Sequence, residues 1–69
     1  MTDSKALRAA IIVAGYKIPQ LAELLGISVQ SLYNKINNRT EFLASEIDIL
    51  CEVLHLTLEQ RMSIFFVRK

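Results

Sequence analysis

The sequence predicts an all-α fold, a compact bundle of five short helices forming a single domain over residues 1–69. Three observations carry that expectation. Apolar residues recur at three-and-four spacing, and nothing alternates like a half-buried strand before the last few residues. Residues suited to helix starts (Asp3, Ser4, Pro19, Ser28, Thr57) precede these runs, and Gly15 and Gly26 close two of them. The chain is 69 residues long, 52% hydrophobic and 22% charged, which suffices for one core and argues against disorder.

The first helix should start near Asp3 or Ser4 and stop at Gly15, with Leu7, Ala10, Ile11 and Ala14 as its inner stripe. A second, from Pro19 to Leu25, should turn Leu21, Leu24 and Leu25 inward. Gly26 then occupies the left-handed position that follows a helix, where a Cβ is unwelcome. Ser28 caps a third helix to about Asn37, with Leu32 and Ile36 one turn apart on its buried side. After the polar stretch NNRTEF, a fourth helix from about Ala44 to Leu54 should bury Ile47, Leu50, Cys51 and Leu54. The segment TLEQ is a capping box, Thr57 with Gln60, that opens a fifth helix to about Ile64. The strand-forming FFVRK would leave it as an extended tail over 65–69.

Much chemistry is excluded by what is missing. One cysteine, Cys51, makes no intrachain disulfide and no metal cage, and its place on an inner stripe suits a small buried hydrophobe. The one histidine, His55, sits just past a helix end, where an imidazole can cap carbonyls. No phosphate loop, paired carboxylate or nucleophile–base arrangement is evident, so neither an enzyme nor a cofactor or small-molecule ligand is expected. The stretch KALRAAIIVAG has the flavour of a leader, but its apolar run is short and ends in Tyr16 and Lys17. Nothing approaches the roughly 20 apolar residues of a membrane span. The expected setting is the cytoplasm of a bacterial host, without membrane contact.

Charge is unevenly spread. Residues 1–40 carry Lys5, Arg8, Lys17, Lys35 and Arg39 against Asp3 and Glu23, a balance of +3. Residues 41–69 carry Arg61, Arg68 and Lys69 against Glu41, Glu46, Asp48, Glu52 and Glu59, a balance of −2. A basic front and an acidic back suit orientation on a polyanion.

Helix, glycine turn and helix is the plan of a helix-turn-helix over about residues 18–37, in which Ala22, four residues before Gly26, allows close approach of the next helix. An ordinary helical hairpin is the alternative. The run LAELLGISVQSLYNKINNRTEF, followed by SEIDILCEVLHLTLEQ, resembles the lambda-repressor-like (XRE) family and, within it, the small phage and prophage Cro-like repressors. The resemblance spans about residues 4–64. It implies a five-helix DNA-binding domain whose third helix enters the major groove. The sequence departs from that pattern at Ile18, where the family commonly has a polar cap, and at Asn38, where it commonly has glycine.

With Leu32 and Ile36 facing inward, 100° per residue sets Gln30 and Asn34 on the opposite face, flanked by Val29 and Tyr33. Amides suit adenine N6 and N7, and Val29 suits a thymine methyl, so these four are the expected base readers, although Tyr33 equally suits packing. Lys17, Ser28, Lys35, Asn37, Asn38 and Arg39 border that face and are the expected backbone contacts; Lys17 and Arg39 match positions the resemblance assigns to phosphates.

The function these features predict is sequence-specific recognition of a double-stranded DNA operator by a transcriptional repressor or Cro-like switch. The same helices used as a protein-interaction module, antirepressor- or antitoxin-like, form the rival expectation, and a structural subunit of a larger assembly a second. Ile49, Val53, Phe65, Phe66 and Val67 are apolar beyond the needs of the inner stripes, which predicts a homodimer joined through its C-terminal part.

Overall fold

Asp3 accepts a hydrogen bond from the Ala6 amide at 3.1 Å, and the helix it caps, α1, runs Ser4–Ala14. In the computed structural model, which describes residues 1–68, it is followed by α2 (Ile18–Leu25), α3 (Val29–Ile36), α4 (Ala44–Val53) and α5 (Leu58–Phe65). Lys69, the end of the expected tail, lies outside the described residues. Among the described residues there is no strand, and no helix is long and apolar enough to cross a membrane.

Each start has a local reason. Ser28 accepts from the Ser31 amide at 3.0 Å, and Thr57 and Gln60 form the reciprocal box foreseen in TLEQ, at 3.1 and 2.8 Å. At α2 and α4 the cap comes from inside the helix: Gln20 accepts from the Lys17 amide, and Glu46 from the Leu43 amide, both at 2.8 Å.

The ends of α1 to α4 share one device. The residues at 15, 26, 38 and 55 all have positive φ (81°, 69°, 63° and 54°). In each case the amide after that residue reaches back to a carbonyl five positions earlier: Tyr16 to Ile11, Ile27 to Ala22, Arg39 to Asn34 and Leu56 to Cys51. These are Schellman closures, which need a left-handed residue. Glycine fills the first two, asparagine the third and histidine the fourth. At His55 it is thus the backbone that closes the helix, where the sequence suggested an imidazole cap.

The core is a contiguous cluster centred on Leu7, Leu21, Leu32, Ile36 and Leu50, all fully buried, with Ile11, Ala22, Ile47, Leu54, Ile64 and Phe65 around them. Truncating one such leucine to alanine typically costs about 2–5 kcal/mol. α3 packs on α1 and α2, while α4 reaches α2 and α5, and α5 returns to α1. Leu24 departs from expectation and is exposed. At 100° per residue Leu21, Ala22 and Leu25 lie within one 100° arc, and Leu24 falls outside it. Cys51 is half-buried.

The C-terminal end is also corrected. α5 extends to Phe65, whose ring is only 3% exposed and meets Phe42 edge-to-face with centroids 5.6 Å apart. The non-helical tail begins at Phe66 and is tied to the N-terminus: Val67 donates to the Met1 carbonyl at 3.0 Å, and Asp3 donates to the Ile64 carbonyl at 2.7 Å. Phe65 therefore belongs to the monomer's core and is unavailable as a dimer contact.

Candidate nucleic-acid interface

Gly26 and Ser28 place α3 against α2 with Ala22 buried between the helices, and Leu32 and Ile36 hold the inner face of α3 down. The opposite face carries Gln30, exposed, and Asn34, half-buried. Gln30 donates from Nε2 to Asn34 Oδ1 at 3.1 Å, so the two amides form a ladder along the helix. Val29 and Tyr33 are both partly exposed on its flanks. All four expected base readers thus stand on or beside one surface, on a single rigid helix. Such a helix, presenting amides and a methyl-bearing side chain, suits base edges in a major groove.

The expected backbone contacts divide into two groups. Lys17 is exposed at the N-cap of α2, Arg39 is exposed just past the closure of α3, and Ser28 is exposed at its start, its Oγ already accepting from Ser31. Lys35 and Asn38 are instead committed within the protein, and Asn37 is engaged through its oxygen alone. Lys35 donates from Nζ to Glu46 Oε1 at 2.8 Å and to the Glu41 carbonyl at 3.2 Å, and its side chain is only 11% exposed. Its charge is neutralised, which removes it from the phosphate-gripping set. The long Lys35 side chain reaches Glu46 of α4, a tertiary pairing that spacing along α3 does not disclose.

Asn38 is a clamp. Its Oδ1 accepts from the Thr2 amide and its Nδ2 donates to the Thr2 carbonyl, both at 2.8 Å. The oxygen and one N–H are consumed in fixing the N-terminus, and the second N–H lies 3.4 Å from the Ser4 hydroxyl, which leaves little of the amide for a phosphate. The Ser4 hydroxyl also donates to the Ile36 carbonyl, reinforcing this junction of α1 and α3. Asn37 is held too: its Oδ1 accepts from Nη2 of Arg8 at 2.7 Å. Arg8 is an exposed cation of α1 that sequence reasoning did not place here; helical spacing sets it only on the flank of the Leu7–Ile11 stripe.

At the α2 start, Lys17 is the N-cap and Ile18 is half-buried against the core. The apolar residue at 18 is accounted for by packing, and Gln20 closes the other half of a capping box by accepting from the Lys17 amide. The thiol of Cys51 is pushed above its ordinary pKa, chiefly by burial, with nearby Arg61 pulling the other way. Arg61 itself is raised, first by its hydrogen bond to Asp48, with which it makes an ion pair at 2.7 Å. Among the described residues no group of three or more His, Cys, Asp or Glu side chains could hold a metal ion.

The dimer residues proposed from sequence are scattered in exposure. Ile49 and Phe66 are partly exposed, Val53 and Val67 are half-buried, and Phe65 is in the core. The most exposed large apolar side chains lie elsewhere, at Ile12, Val13 and Leu58, between 75 and 87%.

Residues 1–38 match the family described as bacterial regulatory protein, Fis family. The match covers α1, α2 and α3 and leaves α4 and α5 outside it. It is a helix-turn-helix family, as the sequence leads one to expect, but a different one from the lambda-repressor-like family that the sequence resembles. No curated protein and no solved structure matches the chain.

Proposed function

The chain belongs to the Fis family of bacterial regulatory proteins, a helix-turn-helix DNA-binding family, and from that premise we propose that it is a sequence-specific transcriptional regulator reading the major groove with α3. The observation that carries this reading is the Gln30–Asn34 ladder on the exposed face of a helix fixed by Leu32 and Ile36. Surface helices normally carry Glu and Lys pairs. A face of uncharged amides contributes little to the fold and suits base edges. Lys17 and Arg39, exposed at either end of the unit, supply phosphate contacts.

The finer reading is a repressor of phage or prophage type, Cro-like, that occludes a promoter in the bacterial cytoplasm. Its support is the resemblance of the segments before and after Asn38 to such repressors, together with two further short helices, α4 and α5, packed on the unit. A homodimer belongs to the same proposal, with Ile49, Val53, Phe66 and Val67 as contacts, because a two-fold pair would read half-sites about 34 Å apart. Sedimentation at tens of micromolar tests it: Phe66→Ser should lower the apparent mass, and a parent protein that already sediments as a monomer contradicts it.

Selecting bound duplexes from a random pool tests the whole reading. A recurrent motif is expected, and a palindromic one if the dimer is right. A protein-interaction module is the second reading, favoured by the exposed Ile12, Val13 and Leu58. It predicts no enrichment at all.

A further inference from the structure

Between α1, the start of α2 and the flank of α3 lies an open slot of about 400 Å³, lined by Arg8, Ile12, Tyr16, Lys17, Tyr33 and others. It brings two cations and two phenols to the edge of the face that carries Gln30 and Asn34. The floor is apolar, provided by Ile11 and Ile36, so the polar groups sit at its rim. None of the residues that border α3 in sequence would place Arg8 there; the packing of α1 on α3 does.

Arg8 is distinguished from the other basic residues by how it is held. Lys35 and Arg61 are tied to carboxylates at 2.8 and 2.7 Å, which cancels their charge locally. Arg8 is tied to a neutral amide, Asn37 Oδ1, at 2.7 Å, and among the described residues it makes no ion pair. A neutral partner fixes the direction of the guanidinium without neutralising it. One of its N–H groups is used by Asn37, and the others remain for a second acceptor. A planar, weakly hydrated, pre-oriented guanidinium is well suited to a phosphate oxygen. Lys17, which also lines the slot, provides a second positive charge, and Tyr16 and Tyr33 line it with them.

We propose that this slot seats the phosphodiester backbone of one DNA strand, that Arg8 of α1 grips it, and that Asn37 is the positioning residue of Arg8. The proposal rests on the DNA-binding reading above and deepens it. The interface then includes α1, and Asn37 acts through Arg8, where the sequence alone suggested a direct contact with the backbone.

The test is the salt dependence of affinity for a selected duplex, followed by fluorescence anisotropy. Arg8→Ala should reduce the slope of log K against log salt by about 0.9. Asn37→Ala removes no charge, yet it should reduce the slope in the same direction, and it should add nothing in an Arg8→Ala background. A neutral side chain touching a phosphate directly would leave the slope alone and weaken binding independently of Arg8. Lys5→Ala removes the same charge from α1 outside the slot and should leave the slope unchanged. An unchanged slope in Arg8→Ala, an equal fall in Lys5→Ala, or additive losses from Arg8 and Asn37 each overturn the proposal. If, with such a result, Gln30→Ala still loses discrimination between duplexes, the DNA-reading function stands and only the slot falls. A parent protein that binds no duplex overturns both.

Discussion

Gln30 and Asn34 stand one turn apart on α3 and share a hydrogen bond of 3.1 Å, from Nε2 of the first to Oδ1 of the second. The bond leaves the Gln30 oxygen to accept and the Asn34 nitrogen to donate, a complementary pair spread over two residues. Base readout by such a ladder is cooperative, since losing either amide frees the other to turn. Gln30→Ala or Asn34→Ala should therefore cost about 1–3 kcal/mol of sequence discrimination. The double variant should lose less than the sum, with a coupling of at least about 0.5 kcal/mol. A double-mutant cycle on a selected duplex measures this, and additive losses would mean that the two amides read independently.

The cations around α3 should separate by whether a carboxylate holds them. Lys17→Ala and Arg39→Ala should each reduce the salt slope of binding by about 0.9, weakening selected and random duplexes alike. Lys35→Met should leave the slope unchanged, because the ammonium lies against Glu46 at 2.8 Å with side-chain exposures of 11 and 7%. Its effect should appear as stability, a loss of about 3 kcal/mol from leaving the buried Glu46 carboxylate without a counter-ion, with the Leu43 amide as its remaining partner. Combining Lys35→Met with Glu46→Gln should recover much of that loss in urea unfolding, because a neutral amide can keep the cap on Leu43.

Asn38 and His55 occupy the same left-handed position in two Schellman closures, yet their replacement by glycine should have opposite signs. His55 gives the closure nothing but its backbone, so His55→Gly relieves left-handed strain and should stabilise by about 0.5–1 kcal/mol, less than the full strain because glycine loses more entropy on folding. For a domain of this size that raises the melting temperature by several degrees. Asn38 uses its amide to hold Thr2 through two bonds of 2.8 Å. Asn38→Gly keeps the turn but loses both bonds, at about 1 kcal/mol each. Asn38→Ala should be worse still, since it loses the bonds and strains the turn. Thermal unfolding of the three variants checks the order.

Cys51 gives a prediction in pH. Burial raises its thiol pKa, and Arg61 partly offsets that rise. Because the thiolate is the nucleophile, alkylation of the folded protein should be slower near neutral pH than that of a free thiol, with its rate rising at higher pH. Removing the cation in Arg61→Ala should slow the reaction further. The linkage follows in sign. A group whose folded pKa is raised contributes stability that is full below its unfolded pKa, about 8.5, and lost as pH rises through the folded value. Stability should thus decline in mildly alkaline solution in the parent but not in Cys51→Ala.

Most of the fold was legible because local rules and the global packing agree. Gly26 with Ser28, and Thr57 with Gln60, mark their helix boundaries in the sequence itself, and Leu7, Ile11, Leu32 and Ile36 declare their inner stripes by spacing. What could not be read was set by contacts between segments distant in sequence. Phe65 looked like part of a loose greasy tail until Phe42 met it in the core. Lys35 reads as a free cation until Glu46 folds under it, and Asn37 and Asn38 read as backbone contacts until Arg8 and Thr2 engage them. Periodicity assigns a face, but it does not name the neighbour across that face.

The decisive measurement is the ratio of affinities for a selected duplex and for a scrambled one of equal length at physiological salt, in the parent and in Gln30→Ala/Asn34→Ala. Sequence-specific recognition through α3 predicts a ratio of about 10³ or more in the parent, collapsing by at least tenfold in the double variant while binding to the scrambled duplex persists. A parent ratio near one, or a ratio untouched by loss of both amides, would contradict it.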